Sequence, residues 1–183
     1  LLAELAASEE FARVRGLDEA VAHARWAREA LERPRELRAP PGDERPIEIC
    51  WALARLHAEG QVLDAGTANA EPAYVAGLLE AAGARLVALD LAPADVPGLH
   101  SVVSDLRSLP FPDETFSTAL CISTLEHVGR DNAVYGQGGP LDDDGMSRAL
   151  TELRRVLTGD GRLLLSVPTG RHEVHEWFVQ LPV

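Results

Sequence analysis

The stretch Val62-Leu63-Asp64-Ala65-Gly66-Thr67-Ala68-Asn69-Ala70 limits what this chain can become more than any other. An apolar run closed by an acid, a glycine and a string of small residues reads as a buried strand. It turns abruptly into a helix near Glu71-Pro72, with a backbone that can come close to something bound at the turn. Downstream, Arg85-Leu86-Val87-Ala88-Leu89-Asp90 is a second apolar run ending in an acid. Strand, small-residue turn, helix, strand and terminal Asp is the layout of a nucleotide-type site in an open parallel sheet. In that layout the second acid accepts hydrogen bonds from ribose hydroxyls.

The other segments fit such a sheet. Apolar spacing predicts helices over 2–14, 17–33 and 46–57, the last with Ile47, Trp51, Ala54 and Ala58 on one face and Cys50 and Leu53 beside them. The proline-rich connector at 38–43 divides an N-terminal helical segment, 1–45, from a main domain, 46–183. A helix over 71–82, strands over 85–90, 101–105, 116–123 and 162–167, and a helix from Met146 to Leu157 follow, with Gly159-Asp160-Gly161 turning into the last strand. The region 129–145, with five glycines, a proline and three successive aspartates, is too polar for core. Alternating strands and helices imply a Rossmann-like, doubly wound, mostly parallel α/β sheet with additional N-terminal helices. Asp64, Asp90 and Asp105 then fall at or near carboxyl ends of strands and line one crevice.

Charge narrows the partners. The net charge is −12, lysine is absent, and arginine is interleaved with glutamate along the helices, so no basic face for nucleic acid is expected. No run reaches the about 20 apolar residues of a membrane span, and no signal-peptide pattern is present. Cys50 and Cys121 sit far apart in apolar runs, which suits buried free thiols in a reducing compartment, and a cytoplasmic protein is expected.

Taken in order, Val62-Leu63-Asp64-Ala65-Gly66, Leu89-Asp90-Leu91, Ser104-Asp105-Leu106 with Leu109-Pro110-Phe111, Cys121 to Val128, and Leu153-Arg154-Arg155-Val156-Leu157 with Gly159-Asp160-Gly161-Arg162 make a recognisable series. Over about 60–170 the chain resembles the class I S-adenosylmethionine-dependent methyltransferases, in particular the small-molecule enzymes with the type-11 methyltransferase domain. The resemblance implies S-adenosylmethionine as cofactor. Asp64, Ala65, Gly66, Thr67 and Ala68 would lie at its methionine end, and Asp90 at the ribose. Asp105 and the Leu106 backbone would face the adenine amino group, Leu91 and Leu106 would sandwich the ring, and Ser123 would lie near the sulfonium. It also implies two strands beyond the fifth, and because the sequence stops soon after that strand these are expected to be missing.

Some positions depart from the family pattern. Ala68 and Ala70 stand where glycine is usual, and a methyl at a turn that needs positive φ costs on the order of 1 kcal/mol, with Asn69 able to carry part of the turn instead. Glu71 sets a carboxylate at the helix start, and Ser117 stands where Asp is common.

Other residues carry two readings each. Asp64 is a direct ligand or a hydrogen-bond acceptor that fixes the turn. His127 is the candidate general base for a substrate hydroxyl, against a histidine that shapes the pocket. Asp142-Asp143-Asp144-Gly145 reads as a helix N-cap with acids in the first turn rather than a calcium loop, because Pro140 and Thr151 occupy ligand positions. His172-Glu173-Val174-His175 lacks the order of a zinc protease motif and reads as solvated, and no metal is expected. Arg148, Glu152 and Arg155 read as ion pairs on a helix surface. The function expected is methyl transfer to a small molecule. The alternatives are a non-catalytic binding module with the same fold and an NAD(P)-dependent oxidoreductase, the latter weakened because the first turn lacks the three glycines of a dinucleotide fingerprint and has an acid before its glycine.

Overall fold

A computed structural model describes residues 45–182, apart from the side chains of residues 46 and 47. The helices expected over 2–14 and 17–33, the connector at 38–43 and nearly all of the segment 1–45 lie outside the described residues. The described chain falls into two compact units, 45–55 with 71–77 and 56–70 with 78–182.

In the smaller unit, helix α1 (Arg45–Arg55) buries Ile49, Cys50 and Ala52, whereas Trp51 stays half-buried under the Arg55 guanidinium, 5.4 Å from its ring centre. The buried face is thus turned away from the Trp51 stripe that periodicity suggests. Leu53 packs against Gly77, where an added Cβ would meet the leucine methyl at 2.8 Å.

The larger unit is built on a five-stranded sheet ordered β3-β2-β1-β4-β5, every neighbouring pair parallel. The strands are β1 (Val62–Ala65), β2 (Leu86–Asp90), β3 (His100–Val103), β4 (Phe116–Ile122) and β5 (Leu157–Ser166). Helix α2 (Pro72–Ala82) connects β1 to β2, and α3 (Gly145–Val156) connects β4 to β5. This is the doubly wound α/β arrangement, and its strand order reverses between β1 and β4.

The core follows from the pleat. Leu63 and Ala65, Val87 and Leu89, and Ala119 and Cys121 form one apolar cluster with Ala149, Leu153 and Val156 of α3. The alternate residues Val62, Leu86, Ala88, Leu120 and Ile122 are buried as well. Two-sided burial is what a parallel strand requires, and it explains why β1, β2 and β4 read as continuous apolar runs.

Two local features differ from the sequence expectation. Strand β5 begins at Leu157, not Arg162. Phe116 pairs with Leu157 and Thr118 with Arg162, so Gly159-Asp160-Gly161 is bulged out of the strand rather than placed before it. The residues after β5 form a small second sheet of β6 (Thr169–Gly170), β7 (Glu173–Val174) and β8 (Val179–Pro182), which the sequence reading did not foresee, and His172 to His175 lie exposed along it, solvated as expected. Ser117, unexplained by its neighbours in sequence, ties the start of β4 to Gln61: its amide and its hydroxyl both donate to the Gln61 carbonyl.

Candidate functional site

In an open sheet, ligands gather outside the carboxyl ends of the strands where the order reverses. Here that point lies between β1 and β4. Gly66 leaves β1 with φ +97° and donates its amide to the Leu89 carbonyl at 2.8 Å, stitching the turn onto β2. A Cβ at Gly66 would overlap the Thr124 side chain, so the first turn and the end of β4 are in direct contact. Only glycine satisfies both conditions.

Asp64 is buried, and the Thr67 hydroxyl donates to its Oδ2 at 2.6 Å. It thus holds the turn from within. Asp90 Oδ2 accepts the Ala68 amide at 2.9 Å and its Oδ1 the Ala92 amide at 3.3 Å, so the acid ending β2 organises both its own turn and the one after β1. Glu114 and Ser123 are the described non-glycine residues with positive φ, so Ala68, Asn69 and Ala70 all keep ordinary backbone angles. The alanines therefore carry no left-handed strain, and Asn69 is not needed in that conformation.

Asp105 follows β3. Both its oxygens accept from the Arg107 guanidinium at 2.6–3.0 Å, and that guanidinium holds its carboxyl below the usual carboxylate range. Of the two leucines expected around a flat ring, Leu91 is 44% exposed but Leu106 is 6% exposed and packed in the core. Of the two, Leu91 is the one with an exposed apolar face. Ser123 directly follows β4 in a left-handed conformation at φ +44°, with its amide donating to the Ser166 carbonyl and hydroxyl, each at 3.1 Å. Such a conformation costs about 1–3 kcal/mol, and strain of this kind clusters at functional edges.

His127 closes the short turn Leu125–His127, its amide donating to the Thr124 carbonyl at 3.1 Å. Its Nδ1 lies 2.7 Å from the Trp177 carbonyl oxygen. A carbonyl only accepts, so Nδ1 carries a proton and donates it to that oxygen. The Trp177 ring stacks on the imidazole with centres 5.3 Å apart, and Tyr135 meets it edge-on at 5.5 Å. Buried Glu126 places Oε1 3.9 Å from Nε2. Burial pushes the Cys121 thiol well up, and the negative charges of Glu126 and Asp64 add to that. One acid thus flanks the site from β1 and another from the turn after β4.

Residues that sequence reading overlooked complete the surroundings. Thr124 packs under Gly66, and Arg107 neutralises Asp105. Trp177 and Tyr135, each 40% exposed, enclose His127 from 50 and 8 positions away. The aspartate run does not cap α3 through a side chain. Asp144 makes no capping bond, while Asp142 accepts from Arg107 and Arg148 and Asp143 from Arg130. Glu152 and Arg155 do pair with each other. Glu152 Oε2 also accepts the Leu109 amide at 2.7 Å, and Arg155 donates to the carbonyls of Leu109 and Phe111. They are a tertiary clasp on the turn before β4, not a surface ornament of α3. Among the described residues no group of three His, Cys, Asp or Glu side chains is placed to hold a metal ion, and no helix is long and apolar enough to cross a membrane.

The donor set suits an adenosine bearing an amino-acid tail. It offers a carboxylate at a strand end for a vicinal diol, an exposed apolar side chain beside it, and a tight small-residue turn for close approach.

The methyltransferase-domain family matches residues 63–165, more than half of the 183-residue chain. An uncharacterized protein of Methanocaldococcus jannaschii is 32% identical over 68 residues, 37% of this chain and 23% of that one. Among solved structures, a putative methyltransferase from Bacillus halodurans aligns at 19% identity and TM-score 0.49, covering 75% of this chain and 55% of that one. A methyltransferase from Aquifex aeolicus described as SAM-dependent aligns at 18% identity and TM-score 0.44, covering 66% and 65%. The chain thus spans about a quarter of the curated relative and less than two thirds of the solved ones. With the sheet order, the first turn and the acid ending β2 already in place, the chain belongs to the methyltransferase-domain family, a class I fold whose cofactor is S-adenosylmethionine.

Proposed function

We propose that this chain transfers a methyl group from S-adenosylmethionine to a nucleophilic atom of a small molecule. The observation that carries the reading is Asp90. It stands at the end of β2, hydrogen-bonded at 2.9 Å to Ala68 in the turn after the neighbouring β1, beside the strand-order reversal, where one carboxylate can take a ribose diol while bracing the turn beneath the methionine end. The bound cofactor supplies an electrophilic methyl on a sulfonium, and its displacement removes positive charge.

The chain's residues contribute alignment and proton handling. Gly66 to Ala68 bring main chain close to the methionine end, with Asp64 and Thr67 fixing that turn and Ala65 packed beneath it. Asp90 orients the ribose, Leu91 covers one face of the adenine, and Asp105 with the Leu106 backbone faces its amino group. Ser123 turns the chain away from the reacting methyl. In-line displacement gains chiefly from such orientation. His127, with its proton fixed on Nδ1, offers Nε2 as the acceptor for a substrate O–H or N–H proton, and the neighbouring Glu126 carboxylate favours the resulting imidazolium. The loop 129–145 and the 173–180 hairpin border the acceptor side. A main domain of 46–183 preceded by a helical segment of 1–45 in a soluble cytoplasmic protein is the accompanying proposal.

Isothermal titration with S-adenosylhomocysteine, S-adenosylmethionine and NAD tests this. Micromolar binding of the sulfur ligands, weakened at least about tenfold by Asp90→Ala, with no heat from NAD, is expected. A folded chain that binds neither sulfur ligand would overturn the reading in favour of a non-binding relative, and heat from NAD alone would favour oxidoreductase chemistry.

A further inference from the structure

The loop between Gly129 and Asp142 is pinched shut at its base. The Asp142 amide donates to the Gly129 carbonyl at 2.9 Å and the Gly145 amide to the Asp142 carbonyl at 3.0 Å. Gly129 takes φ +82°, and a Cβ on Gly145 would stand 2.9 Å from its Cα, so this neck admits no bulk. Beyond the neck the loop bears Tyr135, whose ring meets His127, and Asp131, whose amide donates to the Glu176 carbonyl.

One side chain joins that neck to the far side of the crevice. Arg107 Nη1 donates to Asp142 Oδ2 at 2.7 Å, while its Nε and Nη2 grip both oxygens of Asp105. Arg148 donates to the same Asp142 oxygen, so removing Arg107 would leave Asp142 a cationic partner and sever only the connection to Asp105. An isolated exposed ion pair does little. A planar guanidinium shared by two carboxylates fixes direction as well as charge, which a lysine cannot do.

We propose that Arg107 is a positioning residue that makes cofactor binding and the order of the 130–141 loop a single equilibrium. A ligand hydrogen-bonded to Asp105 immobilises the carboxylate, the carboxylate immobilises the guanidinium, and the guanidinium immobilises Asp142 at the neck. The inference rests on the cofactor reading above, in which Asp105 faces the adenine. Coupling of this kind is reciprocal, so a docked loop also tightens the hold on the cofactor.

The test combines titration with S-adenosylhomocysteine and amide hydrogen exchange over 130–142, with and without that ligand. In the unaltered chain the ligand is expected to slow exchange across the loop. Arg107→Gln should weaken binding about tenfold, within the usual range of coupling between sites, and abolish the slowing, and Arg107→Lys should fall between. Asp142→Asn keeps the Asp105–Arg107 pair, so it should abolish the slowing with a smaller loss of affinity. It also serves as the informative variant if Arg107→Gln does not fold. Binding by Arg107→Gln equal to the unaltered chain, or a liganded loop that exchanges as fast as the free one, overturns the coupling and leaves the cofactor reading standing. A folded, unaltered chain that does not bind S-adenosylhomocysteine overturns both.

Discussion

The turns after β1 and β2 and the loop 129–145 all follow carboxyl ends of strands in one sheet but are made differently. The turns are main chain and short side chains. The Gly66 amide meets the Leu89 carbonyl, the Ala68 amide meets Asp90, and Asp64 with Thr67 is buried beneath. The loop is held by long side chains and rings, with Arg107 on Asp142, Arg130 on Asp143, and Tyr135 and Trp177 around His127. Val134, Tyr135, Leu141 and Trp177 remain exposed. Backbone ladders leave little freedom, whereas charged and aromatic contacts at the surface can rearrange at small cost. The first construction suits a ligand common to a whole family; the second leaves room for an acceptor particular to this chain.

The contrast can be broken most forcefully at Gly66. Gly66→Ala imposes a left-handed alanine and drives a methyl into Thr124, and should destabilise the fold by about 2–4 kcal/mol, read as a lower urea midpoint. A shift under a fifth of that would show the turn to be as pliable as the loop. Trp177→Ala removes a half-exposed ring from the other border. It should lower global stability by about 1 kcal/mol or less while raising the proteolytic nicking rate within 129–145. An equal loss of global stability at both positions would erase the distinction.

The smallest effect is expected in acid. Asp105 and Asp142 are held below their ordinary value of 3.8 by hydrogen bonds from Arg107, and Glu152 below its ordinary 4.5 by Arg155. Carboxylates lowered in the folded state stabilise it fully above those ordinary values, and that contribution fades as pH falls through the lowered ones. Unfolding midpoints measured from pH 6 down to about pH 3 should therefore decline, and less so in Arg107→Gln. An unchanged slope in the variant would mean that solvent screening already cancels the pairs.

Legibility in the sequence follows the same division. The strands β1, β2 and β4 announce themselves because burial on both faces forces unbroken apolar runs, and the acids at 64 and 90 sit at or near the ends of the first two, whereas Asp105 follows the more exposed β3. The matched family span, 63–165, falls inside the span read from the motifs. The ion pairs and rings were not legible. Arg107 meets Asp142 across 35 positions and Trp177 meets His127 across 50, and no local pattern encodes such a meeting. Periodicity also gave Glu152 and Arg155 a surface role, because their partners Leu109 and Phe111 belong to a turn more than 40 residues earlier. The bulge at Gly159–Gly161 reads as a turn in the sequence because glycine signals both.

Cys121 sits near the carboxyl end of β4, paired with Ala65 on one side and Leu165 on the other, wholly out of reach of solvent and with its thiol kept protonated by burial. An alkylating reagent must wait for the sheet to part before it can react. The sulfur is therefore a stopwatch already installed in the protein. Its labelling rate counts openings of the strands on which every turn of the crevice is mounted, independently of whether any ligand has been identified.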